Sequence, residues 1–392
     1  MYRFEVRIPG IPTETNLSDA VGPPLCSSVN IMDAVLGAGD VGCAVDRNQA
    51  PPREPQQEPQ PQSQHKRIVV SLDWTPNTNH AGFFVAAHEG LYAAAGLQVV
   101  LRSPDAEPTE TLTPSRQVAA GTAHFAVAPS ETAVSFATTD HEAPPLVAVA
   151  ALLQGNASAI CTLQSSGIDR PAKLGGKRYA SYDGRFEDPI VGRMVTNDGG
   201  DGATVAFHSL GMHAYAEAAT MGAGSVVASY LETGASDSTW IFPSWEGVLA
   251  ERAGQRLHYF ALEDYGIPYG YAPVLLAHPS LLVGESAAST TAFLRATAAG
   301  YRRAANDPRA AAAALCSTGH KSLSDAAFVE ASAKAIATKF LTAEGAWGRM
   351  DQGRWSAFVD FLASSGILTD RTKQPIPRDR VDTAALFTND FL

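Results

Sequence analysis

Cysteine is scarce in this chain. The four cysteines, Cys26, Cys43, Cys161 and Cys316, lie far apart and form no C-x-x-C pair. That spacing excludes the paired thiolates of a structural zinc site and argues against a disulfide framework. Long apolar runs are missing as well. No stretch of about 18 apolar residues exists, so no membrane-spanning helix is expected. The start, MYRFEVRIPGIPTETN, has no apolar core after a basic beginning, and it carries Glu5 and Glu14. It reads neither as a secretory leader nor as a transit peptide, and a cytoplasmic protein is expected. Positive charge is in the minority, with 29 Lys and Arg against 40 Asp and Glu and a formal net charge of −11. Nucleic acid and anionic membrane surfaces are therefore not expected partners. Two catalytic signatures are absent, the G-x-S-x-G nucleophile elbow and the H-E-x-x-H metal motif. His80 and His88 are eight residues apart and lack a third ligand, so no metal site is expected.

What is present points to a sizeable α/β module. Hydrophobic residues make up 45% of the 392, enough for two lobes or domains. Residues 1–50 form an N-terminal extension without a readable fold. Within it LGAGDVG places Gly37, Gly39 and Gly42 in a G-x-G-x-x-G pattern. The pattern runs into Pro51-Pro52 with no room for the helix that a dinucleotide site requires. Residues 51–65, PPREPQQEPQPQSQH, read as a Pro/Gln-rich linker. From Lys66 to the C-terminus, β-branched runs alternate with helical spacing. RIVVSLD predicts a strand, HAGFFVAAHEGLYAAAG a helix that stops at Gly96, LQVVLR a second strand and HFAVA a third. The same alternation resumes at LGGKRYASY, with a helix near 187–197 and a strand at STWIF. This is the pattern of parallel sheets wrapped by helices. Beyond Pro273 the chain is mostly helical.

Polar and aromatic residues gather at the predicted strand ends, where open α/β sheets bind ligands. The loop after the first strand offers Asp73, Trp74, Asn79 and His80. Ser130 and Glu131 follow HFAVA. Tyr182, Arg185, Phe186 and Glu187 follow RYASY. Trp245 and Glu246 follow STWIF, and Tyr269 lies in DYGIPYGYAP. A flat ring to stack on and groups to meet exocyclic N–H donors and ring-nitrogen acceptors are what an aminopyrimidine needs.

DWTPNTNHAGFFVA, GTAHFAVAPSE, LGGKRYASYDGRFEDPIVGRMVTNDGGDG, WIFPSWEGV and DYGIPYGYAPVL occur in that order. Together they resemble the thiamine-pyrimidine group of type 2 periplasmic-binding-protein-like proteins, over about residues 66–300. The look-alikes include intracellular fungal-type members. The resemblance implies a two-lobed α/β fold with a helical C-terminal region. One lobe would hold about 66–165 plus 269–392, the other about 166–268. The ligand would lie between them, touching Trp74, His80, Ser130, Tyr182 and Trp245.

The synthase branch of that group makes the pyrimidine phosphate from pyridoxal phosphate and a histidine, with iron. Here Ala128 stands near the place of its cofactor lysine and Thr132 near that of its donor histidine. Its phosphate loop reads Gly184-Arg185-Phe186-Glu187, where Arg185 attracts an anion and Glu187 repels one. The branch's cysteine-rich run is replaced by YGIPYGYAP. A Schiff base needs an amine. The favoured expectation is therefore a binder of a hydroxymethylpyrimidine or formylaminopyrimidine, without a cofactor, in thiamine pyrimidine biosynthesis or salvage. Synthase activity with pyridoxal phosphate and iron is the alternative. A homodimer is left open.

Overall fold

In the computed structural model the described residues are 65–104, 112–138, 144–210, 226–370 and 372–392. The chain divides into Met1–Gln60 and Pro61–Leu392, and the described residues belong to the second unit. The N-terminal extension, nearly all of the linker and the LGAGDVG motif lie outside the described residues.

Ten strands are described: β1 (Lys66–Ser71), β2 (Leu97–Arg102), β3 (Phe125–Ala128), β4 (Val147–Ala151), β5 (Ala159–Leu163), β6 (Arg178–Ser181), β7 (Ala206–Ser209), β8 (Ser238–Ile241), β9 (Leu257–Phe260) and β10 (Val274–Ala277). They form two five-stranded sheets, ordered β2-β1-β3-β10-β4 and β7-β6-β8-β5-β9. Each sheet with its helices is one lobe of a two-lobed α/β fold of the type 2 periplasmic-binding-protein kind.

The sequence pattern predicts parallel sheets, but both are mixed. β10 is antiparallel to β3 and β4, and β5 is antiparallel to β8 and β9. Connectivity is the reason. The chain leaves the first sheet after β4 to enter the second as β5, and it returns after β9 as β10. A strand that arrives from the cleft runs opposite to strands that end there. β1, β3 and β10 are short apolar runs, and Val70, Phe125, Val127, Leu275 and Leu276 are fully buried. Such strands fit sheets covered on both faces.

The predicted first helix is broken. It ends as Ala81–His88, and a short second turn, Leu91–Ala94, follows Gly90 at φ 70°. Glycine adopts that left-handed conformation without steric cost. The C-terminal region is helical, with Gly284–Asn306, Pro308–Cys316, Ala326–Ile336 and Gln352–Ser364. Asp307, Asp325 and Asp351 cap the last three with their side chains, each satisfying a backbone N–H left open by the helix start.

The Ala81–His88 and Gly284–Asn306 helices touch backbone to backbone. A Cβ on Gly82 would sit 2.0 Å from the Tyr301 ring, and one on Gly300 would sit 2.1 Å from the Gly82 carbonyl oxygen. The close approach lets the Tyr301 hydroxyl donate to the Asn79 carbonyl at 2.8 Å. A buried contact between C-terminal helix and first loop thus fixes the segment that opens the candidate site.

Candidate functional site

The C-terminal ends of β1, β3, β6 and β8 open onto one cavity of about 1060 Å³, lined by residues of both lobes. The loop after β1 shapes one wall. Asn77 caps a short turn, Thr78–His80, with its Oδ1 accepting the Asn79 N–H at 2.9 Å. The Asn77 N–H points back to His80 Nδ1 at 3.3 Å, and His80 Nε2 lies 2.8 Å from Asp73 Oδ1. Three C-terminal residues hold this loop from behind. Besides Tyr301, Ser322 Oγ donates to the Pro76 carbonyl at 2.6 Å, and Ser332 Oγ meets Thr78 Oγ1 at 2.6 Å. Ser332 Oγ also donates to the Ser244 carbonyl at 2.5 Å. It therefore tethers the turn after β8 to the loop after β1.

The loop after β6 makes the facing wall. Asp183 adopts φ 61°, which aspartate tolerates better than most residues. The Glu187 carboxylate accepts from the Tyr179 hydroxyl at 2.9 Å and from the backbone N–H groups of Tyr182 and Gly184 at 3.1 Å. Its acceptor capacity goes into folding its own loop. Arg185, read from sequence as an anion attractor, reaches across to the other lobe. It donates to the Ser135 carbonyl at 2.9 Å, to Ser135 Oγ at 3.1 Å, to Thr138 Oγ1 at 3.0 Å and to the Thr369 carbonyl. Across the cleft the Trp74 and Tyr182 rings meet edge to face, with centroids 5.9 Å apart.

Five carboxyl groups line the cavity: Asp73, Glu131, Asp183, Glu187 and Glu246. Burial pushes the Glu131 carboxyl up to about 7, helped by the nearby charge of Glu187 and opposed by a hydrogen bond from the Tyr269 hydroxyl at 3.1 Å. Burial also pushes Glu187 up to about 7, against the pull of its backbone N–H donors. Glu246 is raised to about 7 by burial, with the Asp73 charge adding to the rise and the Phe242 N–H, at 2.9 Å, opposing it. Desolvation penalises the ionised form of each. At neutral pH these groups can donate as well as accept hydrogen bonds.

The structure brings Asp73, Trp74, Asn79, Tyr182, Glu187, Trp245, Glu246 and Tyr269 to this cavity. His80 and Ser130 do not line it, which corrects their reading as contact residues. His80 is 0% exposed, its ring held between the Asn77 N–H and Asp73. Ser130 is equally buried. Its Oγ accepts the Tyr271 N–H at 3.0 Å, and its own N–H donates to the Tyr271 carbonyl at 2.9 Å. Its neighbour Glu131 takes the wall position. Among the lining residues that went unread in the sequence are Trp240 and Gln117. Trp240 packs 5.3 Å from Tyr269 and donates through Nε1 to Ser158 Oγ at 2.6 Å, and Gln117 accepts from both Ser71 and Arg102. Trp240 sits inside the strand reading STWIF, where a tryptophan looks like core. Nothing in the local text marks Gln117.

Ala128 and Thr132 both line the cavity, at the places where the synthase resemblance calls for a lysine and a donor histidine. An alanine and a threonine cannot form a Schiff base with pyridoxal phosphate, so these positions do not fit that cofactor. Among the described residues no group of three His, Cys, Asp or Glu is placed to hold a metal.

Comparison with known proteins agrees with the fold. The chain is 26% identical over 315 residues to a formylaminopyrimidine-binding protein of Halalkalibacterium halodurans, covering 79% of this chain and 87% of that one. It is 25% identical over 233 residues to a putative thiamine biosynthesis protein of Haemophilus influenzae, covering 59% of this chain and 67% of that one. Among solved structures, the alkanesulfonate-binding protein SsuA from Xanthomonas axonopodis pv. citri superposes with a TM-score of 0.57 at 14% identity. That match covers 82% of this chain and 98% of that one, and it speaks to the fold alone. The family model described as NMT1/THI5 like matches residues 77–311, well over half of the chain, so the chain belongs to the NMT1/THI5-like family.

Proposed function

We propose that this protein binds a thiamine-type aminopyrimidine, of the hydroxymethylpyrimidine or formylaminopyrimidine class, between its lobes. In this reading it serves thiamine pyrimidine biosynthesis or salvage inside the cell, as in the fungal-type members it resembles. The observation that carries the reading is a pair of aromatic rings, Trp74 and Tyr182, bordered by buried carboxyl groups poised near neutrality. An aminopyrimidine edge places an N–H donor beside a ring-nitrogen acceptor. A protonated carboxyl is its complement, because its hydroxyl donates to the ring nitrogen while its carbonyl accepts from the amine. Glu246, close enough to Asp73 to feel its charge, suits that edge. Asp73 takes the second amine hydrogen. The Trp74 and Tyr182 planes stand at 87°, so the pyrimidine stacks on one ring and meets the other edge-on, an arrangement favoured over a face-to-face sandwich. The relative of Halalkalibacterium halodurans is named for binding such a compound. The missing amine at Ala128 supports binding over synthase chemistry.

Thermal unfolding of the purified protein tests the reading. The panel holds hydroxymethylpyrimidine, formylaminopyrimidine, the pyrimidine phosphate, thiamine, pyridoxal phosphate and ferrous iron. Ligand at a hundred times its dissociation constant adds about 2.7 kcal/mol of stability. Stabilisation by an unphosphorylated pyrimidine is the expected result. Stabilisation by pyridoxal phosphate with a new visible absorbance, or by none of the panel, sinks the reading.

A further inference from the structure

The geometry points to His80 as a positioning residue that fixes Asp73 as the acceptor for the ligand's amino group. The inference rests on the aminopyrimidine reading above. It starts from proton bookkeeping on one imidazole. The Asn77 backbone N–H approaches His80 Nδ1 at 3.3 Å. A backbone N–H can only donate, so Nδ1 carries the lone pair. The ring proton of the neutral imidazole then sits on Nε2, which donates to Asp73 Oδ1 at 2.8 Å. The tautomer follows from the hydrogen-bond network.

The ring has no freedom to exchange these roles. His80 is fully buried, and the turn that carries it is capped by Asn77 and tied through the Asn79 carbonyl to Tyr301. Asp73 differs. Its side chain is 23% exposed and lines the cavity. With Oδ1 engaged by His80, Oδ2 has no other hydrogen bond among the described residues. The imidazole thus sets the carboxylate plane and leaves one oxygen for the ligand. A second donor on the ligand matches that oxygen; a carbonyl or ether oxygen in its place would set acceptor against acceptor with no proton between them. Asp73 therefore selects amino-substituted rings, and His80 acts only through it.

A chemical cycle tests this. The probes are hydroxymethylpyrimidine and an analogue in which hydrogen replaces the ring amino group. Calorimetry measures both against the wild type, His80→Ala, His80→Gln and Asp73→Asn. The wild type is expected to bind the amino probe and to lose affinity for the analogue. His80→Ala is expected to weaken the amino probe about tenfold, the scale of one charge-assisted hydrogen bond, with the analogue changed less than about twofold. His80→Gln, whose amide can still donate to Asp73, is expected to recover most of the loss. Ring ¹⁵N shifts of His80 in the unliganded protein supply a second readout. A bare Nδ1 and a protonated Nε2 are expected. Equal weakening of both probes by His80→Ala, or an Nδ1-protonated ring, overturns the role of His80 while leaving aminopyrimidine binding intact. A wild type that binds neither probe removes the functional reading and the inference together.

Discussion

Trp74, from the loop after β1, and Tyr182, from the loop after β6, touch across the cleft with ring planes at 87°. The two lobes therefore meet through aromatic side chains at the mouth of the cavity they share. Truncating Trp74 removes the larger of these surfaces. Trp74→Ala is expected to weaken aminopyrimidine binding by about ten- to a hundredfold, as loss of a central aromatic anchor does. Its effect on stability should be small, because the residue is only half-buried. Titration calorimetry and thermal unfolding of the unliganded variant separate the two effects.

Gly82 faces a different constraint. A methyl group there would overlap the Tyr301 ring, and the clash cannot be relieved by a flexible chain end. Gly82→Ala is expected to destabilise the protein by about 2 kcal/mol or more, in the range of overpacked cores. Because Tyr301 holds the Asn79 carbonyl, ligand affinity should fall with it. Urea unfolding and calorimetry provide the two measurements.

The buried carboxyls make stability depend on pH. Glu131, Glu187 and Glu246 have folded values near 7, above the ordinary carboxylate range of an unfolded chain. The unfolded state then releases its protons first. The stability these three groups contribute is fully present below about pH 4.5 and is lost as pH rises through about 7. Glu131→Gln keeps the shape and removes one ionisation. It is expected to flatten the decline and to raise stability at pH 8 relative to wild type by roughly 1–3 kcal/mol. Urea titrations at pH 5, 6, 7 and 8 read this directly. A variant curve parallel to wild type would contradict it.

Arg185 ties the loop after β6 to Ser135, Thr138 and Thr369 of the other lobe. Arg185→Ala removes one donor from each of those groups. A loss of about 1–3 kcal/mol is expected, together with a larger radius of gyration in solution scattering. Arg185→Lys should recover little, since one ammonium cannot reproduce the planar fork of donors.

The text of the chain showed much of the scaffold. Short runs of strand-forming residues placed β1, β3, β6 and β8, and the helix Glu187–Asn197 falls where its spacing put it. Strand direction was less readable. β5 and β10 look like any other apolar run, and their antiparallel setting comes from the path of the chain between lobes. The site divided along similar lines. Asp73, Trp74 and Asn79 stood out because they sit in one polar and aromatic loop at the C-terminal end of a strand, where open α/β sheets bind ligands.

Side-chain direction belonged to the tertiary structure alone. Sequence ranked His80 with its neighbours, but a capped turn held by Tyr301, Ser322 and Ser332 swings its ring behind Asp73. Ser130 and Glu131 are adjacent in sequence and both follow β3, yet Tyr271 claims the first and the cavity receives the second. Local sequence determined which segments reach the cleft, because burial pattern and turn chemistry act over a few residues. Which atoms face the cleft was decided by partners up to about 250 residues away, as the Thr78–Ser332 contact shows. No local rule can supply such partners.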